Sequence, residues 1–230
     1  MTGFWRASLA LLALAACAPK PEQPATADIR ASRQAALTFD QRMSREITAR
    51  LDRAEDPVAV WLSYADNVPF WGQALSDAAQ MEFSRTALTV RNPANAPDDW
   101  ERQQMEQMAF LLDAGLDPDT LEIAEIRTEG DERVFRWMRP IIVTETCLTC
   151  HGEATPPRIK LLIGQEYPLD GAVGCAEGQL IGAYSARKVL SLNGQLPPPY
   201  TPQPTPQRIP ADPRQPDDAP LVQPTQPAPL

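Results

Sequence analysis

The most explicit chemistry in the chain lies in five consecutive residues, Cys147-Leu148-Thr149-Cys150-His151, a C-x-x-C-H run. Two thiols separated by two residues can add as thioethers across two vinyl groups on one porphyrin edge. A histidine directly after the second thiol then sets an imidazole beneath the iron, so the spacing is that of a c-type haem attachment site. His151 is the only histidine in 230 residues, and chance would place it here about once in two hundred times. A structural zinc ion needs four nitrogen or sulfur ligands, and no second C-x-x-C or histidine pair could complete the set. The competing use of the pair is a thiol-disulfide oxidoreductase without haem. That chemistry needs a thiol of depressed pKa at a helix N-terminus in a βαβ setting.

Two further cysteines complete the four. Cys17 closes a secretory signal: a charged start at Arg6, an apolar run from Ala7 to Ala16, and the ending Leu14-Ala15-Ala16-Cys17. Small residues followed by cysteine form a lipobox, in which the thiol takes a diacylglycerol before cleavage. Residues 1–16 therefore read as a lipoprotein signal peptide, too short to span a bilayer, and Cys17 as the lipid anchor. The two motifs agree, because bacteria attach c-type haem outside the cytoplasmic membrane. The expected location is a periplasm-facing membrane surface. Cys175 is left without a partner, and a lone thiol in an oxidising compartment is either buried or functional.

Residues 17–26 form a lipidated linker that, extended, reaches about 30 Å. Residues 193–230 form a proline-rich tail. Proline fixes φ and removes the amide donor, so this stretch is expected to stay solvated, with residues 196–230 sampling polyproline II over as much as about 110 Å. The intervening residues, 27–192, suffice for one domain. The formal charge of −9 disfavours nucleic acid, whose phosphates demand a basic surface, and is compatible with a basic redox partner.

Local patterning predicts helices first and strands after. Residues 27–54 read as a long helix with Phe39, Met43, Ile47 and Leu51 on one face. Asp56-Pro57 starts a second helix carrying Val60, Trp61, Tyr64 and Val68. Thr86 to Val90 reads as a short strand, and residues 91–97 as a rigid loop. Asp98 to Ala114 reads as a helix with Trp100, Met105, Met108 and Leu112 on its stripe, stopped by Gly115. A hairpin follows, from Leu121 to Thr128 and Arg133 to Val143 around Glu129-Gly130-Asp131. Leu161–Ile163 and Leu180–Ser185 are expected strands. The order predicts an α+β fold with an antiparallel sheet.

An ordered set of short motifs carries a family resemblance: Arg85-Thr86, the run Arg91-Asn92-Pro93-Ala94-Asn95-Ala96-Pro97, Trp100-Glu101, Arg139-Pro140-Ile141, Cys147 to Gly152, and Tyr167-Pro168. From about Asp28 to Val189 the chain resembles the PAS-like c-type haem domain family, first described only as a domain of unknown function. The resemblance implies a PAS-like antiparallel sheet flanked by long N-terminal helices. It also implies one covalent haem c and a role in redox sensing, small-ligand sensing or electron transfer, as carrier or sensor rather than catalyst. A sensing role would need a separate signalling protein as partner.

The sixth iron ligand does not carry over. A characterised relative uses a cysteine on the second N-terminal helix, where this chain has Ser63 and Tyr64. Cys175, in a different segment, is one substitute; Met81, Met105, Met108 and Met138 are others, although methionines at helical spacing usually fill cores. An open or water-occupied position is equally compatible. Arg91 and Arg139 are candidate partners for haem propionates, because guanidinium forks match carboxylates. Either arginine could instead brace its loop through carbonyl contacts.

Overall fold

The computed structural model describes residues 22–202; the signal peptide, Cys17 and residues 203–230 lie outside the described residues. The first helix, α1 (Thr26–Met43), continues through a π-helical turn at Ser44–Thr48 into the short α2 (Ala49–Asp52). The turn has a physical role. Four residues advance an α-helix by about 400°, so a strict period of four drifts about 40° per step. A π turn uses i→i+5 bonds and more residues per turn, which cancels part of that drift. Phe39, Met43, Ile47 and Leu51 consequently all line one cleft.

The next helix, α3 (Pro57–Ala79), begins where the sequence places it. The Asp56 side chain accepts from the Val58 amide, and Pro57 occupies the first turn, where its missing N–H costs nothing. The first strand, β1, is Glu82–Thr86, so the strand expected over 86–90 begins earlier and stops at Thr86. Glu82 to Thr86 pair with Arg187 to Ala183. Beyond Thr86 the backbone leaves the ladder, and the Ala87 amide donates to the Asn95 carbonyl. Residues 86–90 have strand propensity, but most of them have no strand to pair with.

The helix α4 (Asp99–Asp113) starts with a reciprocal capping box between Asp98 and Glu101, which satisfies two orphan amides. The hairpin follows as β2 (Ile123–Glu129) and β3 (Glu132–Ile142), with Gly130 at φ +60 in its turn. Next come α5 (Glu145–His151) and α6 (Pro157–Glu166). The strand expected at Leu161–Ile163 is thus helical. Ile159 and Ile163, four apart, pack on Trp61 of α3, while Leu161 is exposed; that is helical periodicity, not alternation. The last strand, β4 (Leu180–Leu192), runs seven residues past the expected Ser185.

The sheet is antiparallel throughout, in the order β1-β4-β3-β2. Alternate residues of a strand face opposite sides, and here both sides are covered. Phe83, Phe135, Trp137, Tyr184 and Ala186 pack beneath Ala35, Ala36 and Phe39 of α1 and Leu75 of α3. Met138 and Ala183, on the reverse face, meet Trp100, Met105 and Met108 of α4. The Arg136 guanidinium, 2% exposed, fastens α4 to this face. It pairs with Asp98 at 2.6 Å and lies 4.5 Å above the Trp100 ring. The result is an α+β fold. Among the described residues no helix is long and apolar enough to cross a membrane.

Candidate functional site

The C-x-x-C-H run forms α5 immediately after β3. Thr144 caps it, with its hydroxyl 3.3 Å from Cys147 Sγ. On a helix, positions three and four apart share a face, so Cys147, Cys150 and His151 point the same way. That face opens onto a cleft of about 530 Å³, within the range of cofactor pockets. Gly152 ends the helix. A Cβ there would stand 2.7 Å from the Leu148 carbonyl oxygen, so only glycine permits this close return.

The cleft walls are mostly apolar. α1 contributes Phe39 and Met43, the π-helical turn Ile47, and α3 Val60, Trp61 and Val68. Tyr64 and Arg85 add polar groups. Arg85 Nη1 donates to the Tyr64 hydroxyl at 2.8 Å, and the guanidinium lies 4.6 Å from the Phe39 ring centroid. Tyr64 also meets Trp71 edge to face. Gly182 shapes the floor: a Cβ there would fall 2.4 Å from the Thr86 carbonyl oxygen.

His151 is held in a defined tautomer. Its Nδ1 lies 2.8 Å from the Ala172 carbonyl, and a carbonyl only accepts, so Nδ1 carries the proton and Nε2 keeps its lone pair. Burial, reinforced by the Arg91 charge, pushes its pKa down to about 4. A neutral imidazole fixed through its other nitrogen is the form that binds a metal.

Arg91 acts behind the histidine. Its Nη2 donates to the carbonyls of Cys150 at 2.7 Å and Ala172 at 3.2 Å. Its Nε pairs with Asp170 at 3.0 Å, both side chains being nearly buried. One guanidinium thus ties the end of α5 to the segment that orients His151. Arg91 also lines the cleft, but these contacts are the loop-bracing ones. Arg139 is elsewhere: it pairs with the exposed Asp119 at 3.0 Å and does not line the cleft.

Of the sequence candidates, the structure brings together Cys147, Cys150, His151 and Arg91. Cys175 donates its backbone amide to the His151 carbonyl at 2.9 Å, yet its side chain is not among the cleft residues. Met81 is buried with the α1 cluster, and Met105, Met108 and Met138 lie on the reverse face of the sheet. Of the two residues at the relative's ligand position, Tyr64 lines the cleft while Ser63 bonds to Glu46. Sequence reasoning missed Arg85, Ala172 and Asp170 as site residues. Arg85 stood in a quoted motif; the other two carried no signal.

The setting of α5 does not favour disulfide exchange. Burial pushes the Cys150 thiol pKa up, whereas exchange chemistry needs it down. α5 also follows an antiparallel strand rather than opening a βαβ unit. The donor set instead fits an iron porphyrin: two thiols for vinyl addition, one oriented imidazole and an apolar cleft beside them.

These features define a helix-covered antiparallel α+β domain with a C-x-x-C-H helix facing a deep cleft. The profile of the Tll0287-like family matches residues 22–188, and the chain belongs to that family. Its fold is similar to the crystal structure of the cyanobacterial heme-protein Tll0287, with a TM-score of 0.53 and 22% identity. The match covers 74% of this chain and 99% of that one. No curated protein matches.

Proposed function

We propose that this chain is an extracytoplasmic, PAS-like c-type haem protein that senses redox state or a small ligand, or passes electrons. One haem c is bound through thioethers to Cys147 and Cys150, with His151 Nε2 as an axial ligand. The observation that carries the reading is the placement of all three side chains on one face of α5, opening onto a cleft about 530 Å³ in volume. Bound there, the iron supplies one-electron chemistry or a site for a diatomic ligand. The protein's own part is to hold: Ala172 fixes the imidazole, Arg91 fixes Ala172, and the apolar walls of α1 and α3 exclude water. Membership of the Tll0287-like family and the fold shared with a heme-protein support it. The acidic charge of −9 suits a basic redox partner. Protein made with a working haem-attachment system should give a pyridine haemochrome spectrum of haem c and a haem-staining band that survives boiling. Haem-free protein from such cells would overturn the reading.

The location follows from Cys17. The acyl chains of a lipidated Cys17 would bury methylenes worth about 0.8 kcal/mol each, enough for durable anchoring with the haem domain outside the cytoplasmic membrane. Cys17→Ser should release the protein into the soluble fraction or leave its precursor uncleaved. Parent protein that washes freely from membranes would reject the anchor.

A further inference from the structure

We propose that the Met43 thioether is the sixth iron ligand, completing a His/Met pair with His151. The inference rests on the haem reading and adds this chain's own answer to the missing cysteine.

The argument is one of access. A porphyrin held by Cys147, Cys150 and His151 must turn its other face to the walls of the cleft. Among the described residues lining that cleft, the side chains outside the attachment motif with a strong donor atom for iron are Met43, Tyr64 and Tyr167. Tyr167 packs in the Trp61, Ile159 and Ile163 cluster that also holds Cys150 of the motif helix, whereas Met43 and Tyr64 stand on the facing helices. The methionines of the sheet core are excluded by position, since Met81, Met105, Met108 and Met138 do not line it. Cys175 is excluded on the same ground.

Met43 and Tyr64 differ in what already holds them. The Tyr64 oxygen is engaged by Arg85 at 2.8 Å, and its ring is set against Trp71. To ligate ferric iron it must lose its proton, with the Arg85 donor still on its oxygen. Met43 is neutral at every pH, and its sulfur needs no proton transfer. Thioether sulfur is soft, matching the iron of a low-spin haem. The unbranched methionine side chain has three rotatable bonds and can reach its partner without moving the backbone.

The backbone around Met43 points the same way. It is the last residue of α1 before the π-helical turn at Ser44–Thr48. Such turns are rare and recur at functional sites. Here the turn keeps Ile47 and Leu51 on the cleft wall in line with Met43. It also brings the Thr48 hydroxyl 3.3 Å from the Thr146 hydroxyl at the start of the motif helix. The wall bearing Met43 is therefore tied directly to the element that bears the haem thiols.

The test compares the parent with Met43→Leu, which keeps volume and polarity, and with Tyr64→Phe, each purified with its haem. The parent ferric protein should show the weak far-red charge-transfer band of thioether-ligated haem. Met43→Leu should lose that band, acquire a high-spin or water-ligated ferric spectrum and take up CO rapidly in the ferrous state, where the parent is slow. Tyr64→Phe should keep the parent spectrum. A pyridine haemochrome measured on every variant reports covalent haem independently, so a failure of attachment is not mistaken for a failure of ligation. The proposal is overturned if the parent lacks the band, if Met43→Leu overlays the parent, or if only Tyr64→Phe alters the spectrum.

Discussion

His151→Ala should yield protein with at least about tenfold less haem than the parent, and any residual haem should lack the parent's ferrous spectrum. Removing only the outer partners of a metal-bound histidine typically costs about 10–100-fold in affinity, and this change removes the ligand itself. The sole histidine of the chain has no substitute. Replacing both Cys147 and Cys150 by alanine should have the complementary effect. Any haem then held through His151 should be extracted by denaturant, and the boiled band should not stain. Leu148→Ala, inside the motif but bearing no ligand, is the control and should keep its stain. A His151→Ala protein with full haem and an unchanged spectrum would remove the imidazole from the site.

The second large effect concerns stability. Trp137→Ala should destabilise the fold by about 3–5 kcal/mol, measurable as a lowered denaturant midpoint. Trp137 has no exposed surface and sits at the centre of the cluster that joins β3 to α1 and α3. Its removal leaves a void beneath the helices that wall the cleft. Against a total of about 5–15 kcal/mol for a domain, this is a large fraction. Phe110→Ala on α4, at a position 72% exposed, should change stability by about 0.5 kcal/mol or less. Equal midpoints for Trp137→Ala and the parent would show that this cluster does not hold the fold.

What could be read from the sequence was what is local. The C-x-x-C-H run needs only one helical turn to converge, so it stood out as a candidate site before any fold. Asp56-Pro57 and the Asp98/Glu101 box are likewise contained within four residues and marked their helices well. Where partners are distant, the reading slipped. Residues 86–90 look more like a strand than Glu82–Thr86 does, but β4 selects which of the two is paired, and β4 is about a hundred residues away. Leu161–Ile163 is apolar enough for a strand, yet Pro157 and the buried pair Ile159 and Ile163 make it a helix. The same limit applied at the site. Ala172 orients His151 through a backbone carbonyl, for which residue type gives no signal. Arg85 enters the cleft because β1 pairs beside β4, and Ile47 and Leu51 stay in line with Met43 because a π turn corrects the drift of a four-residue period.

The strand order bears on events during synthesis. β4 is the last strand in the chain, yet it lies inside the sheet and pairs with both β1 and β3. Until residues 180–192 have emerged, β1 has no strand to join, and the surface on which α1 and α3 settle is incomplete. The thiols of α5 precede that strand by some thirty residues. On the proposed function they would meet haem on a chain whose sheet has not yet closed, and folding by such distant pairings is slow. Haem capture would then run ahead of folding, and the closing of the sheet would seal the cleft around a cofactor already joined to the chain.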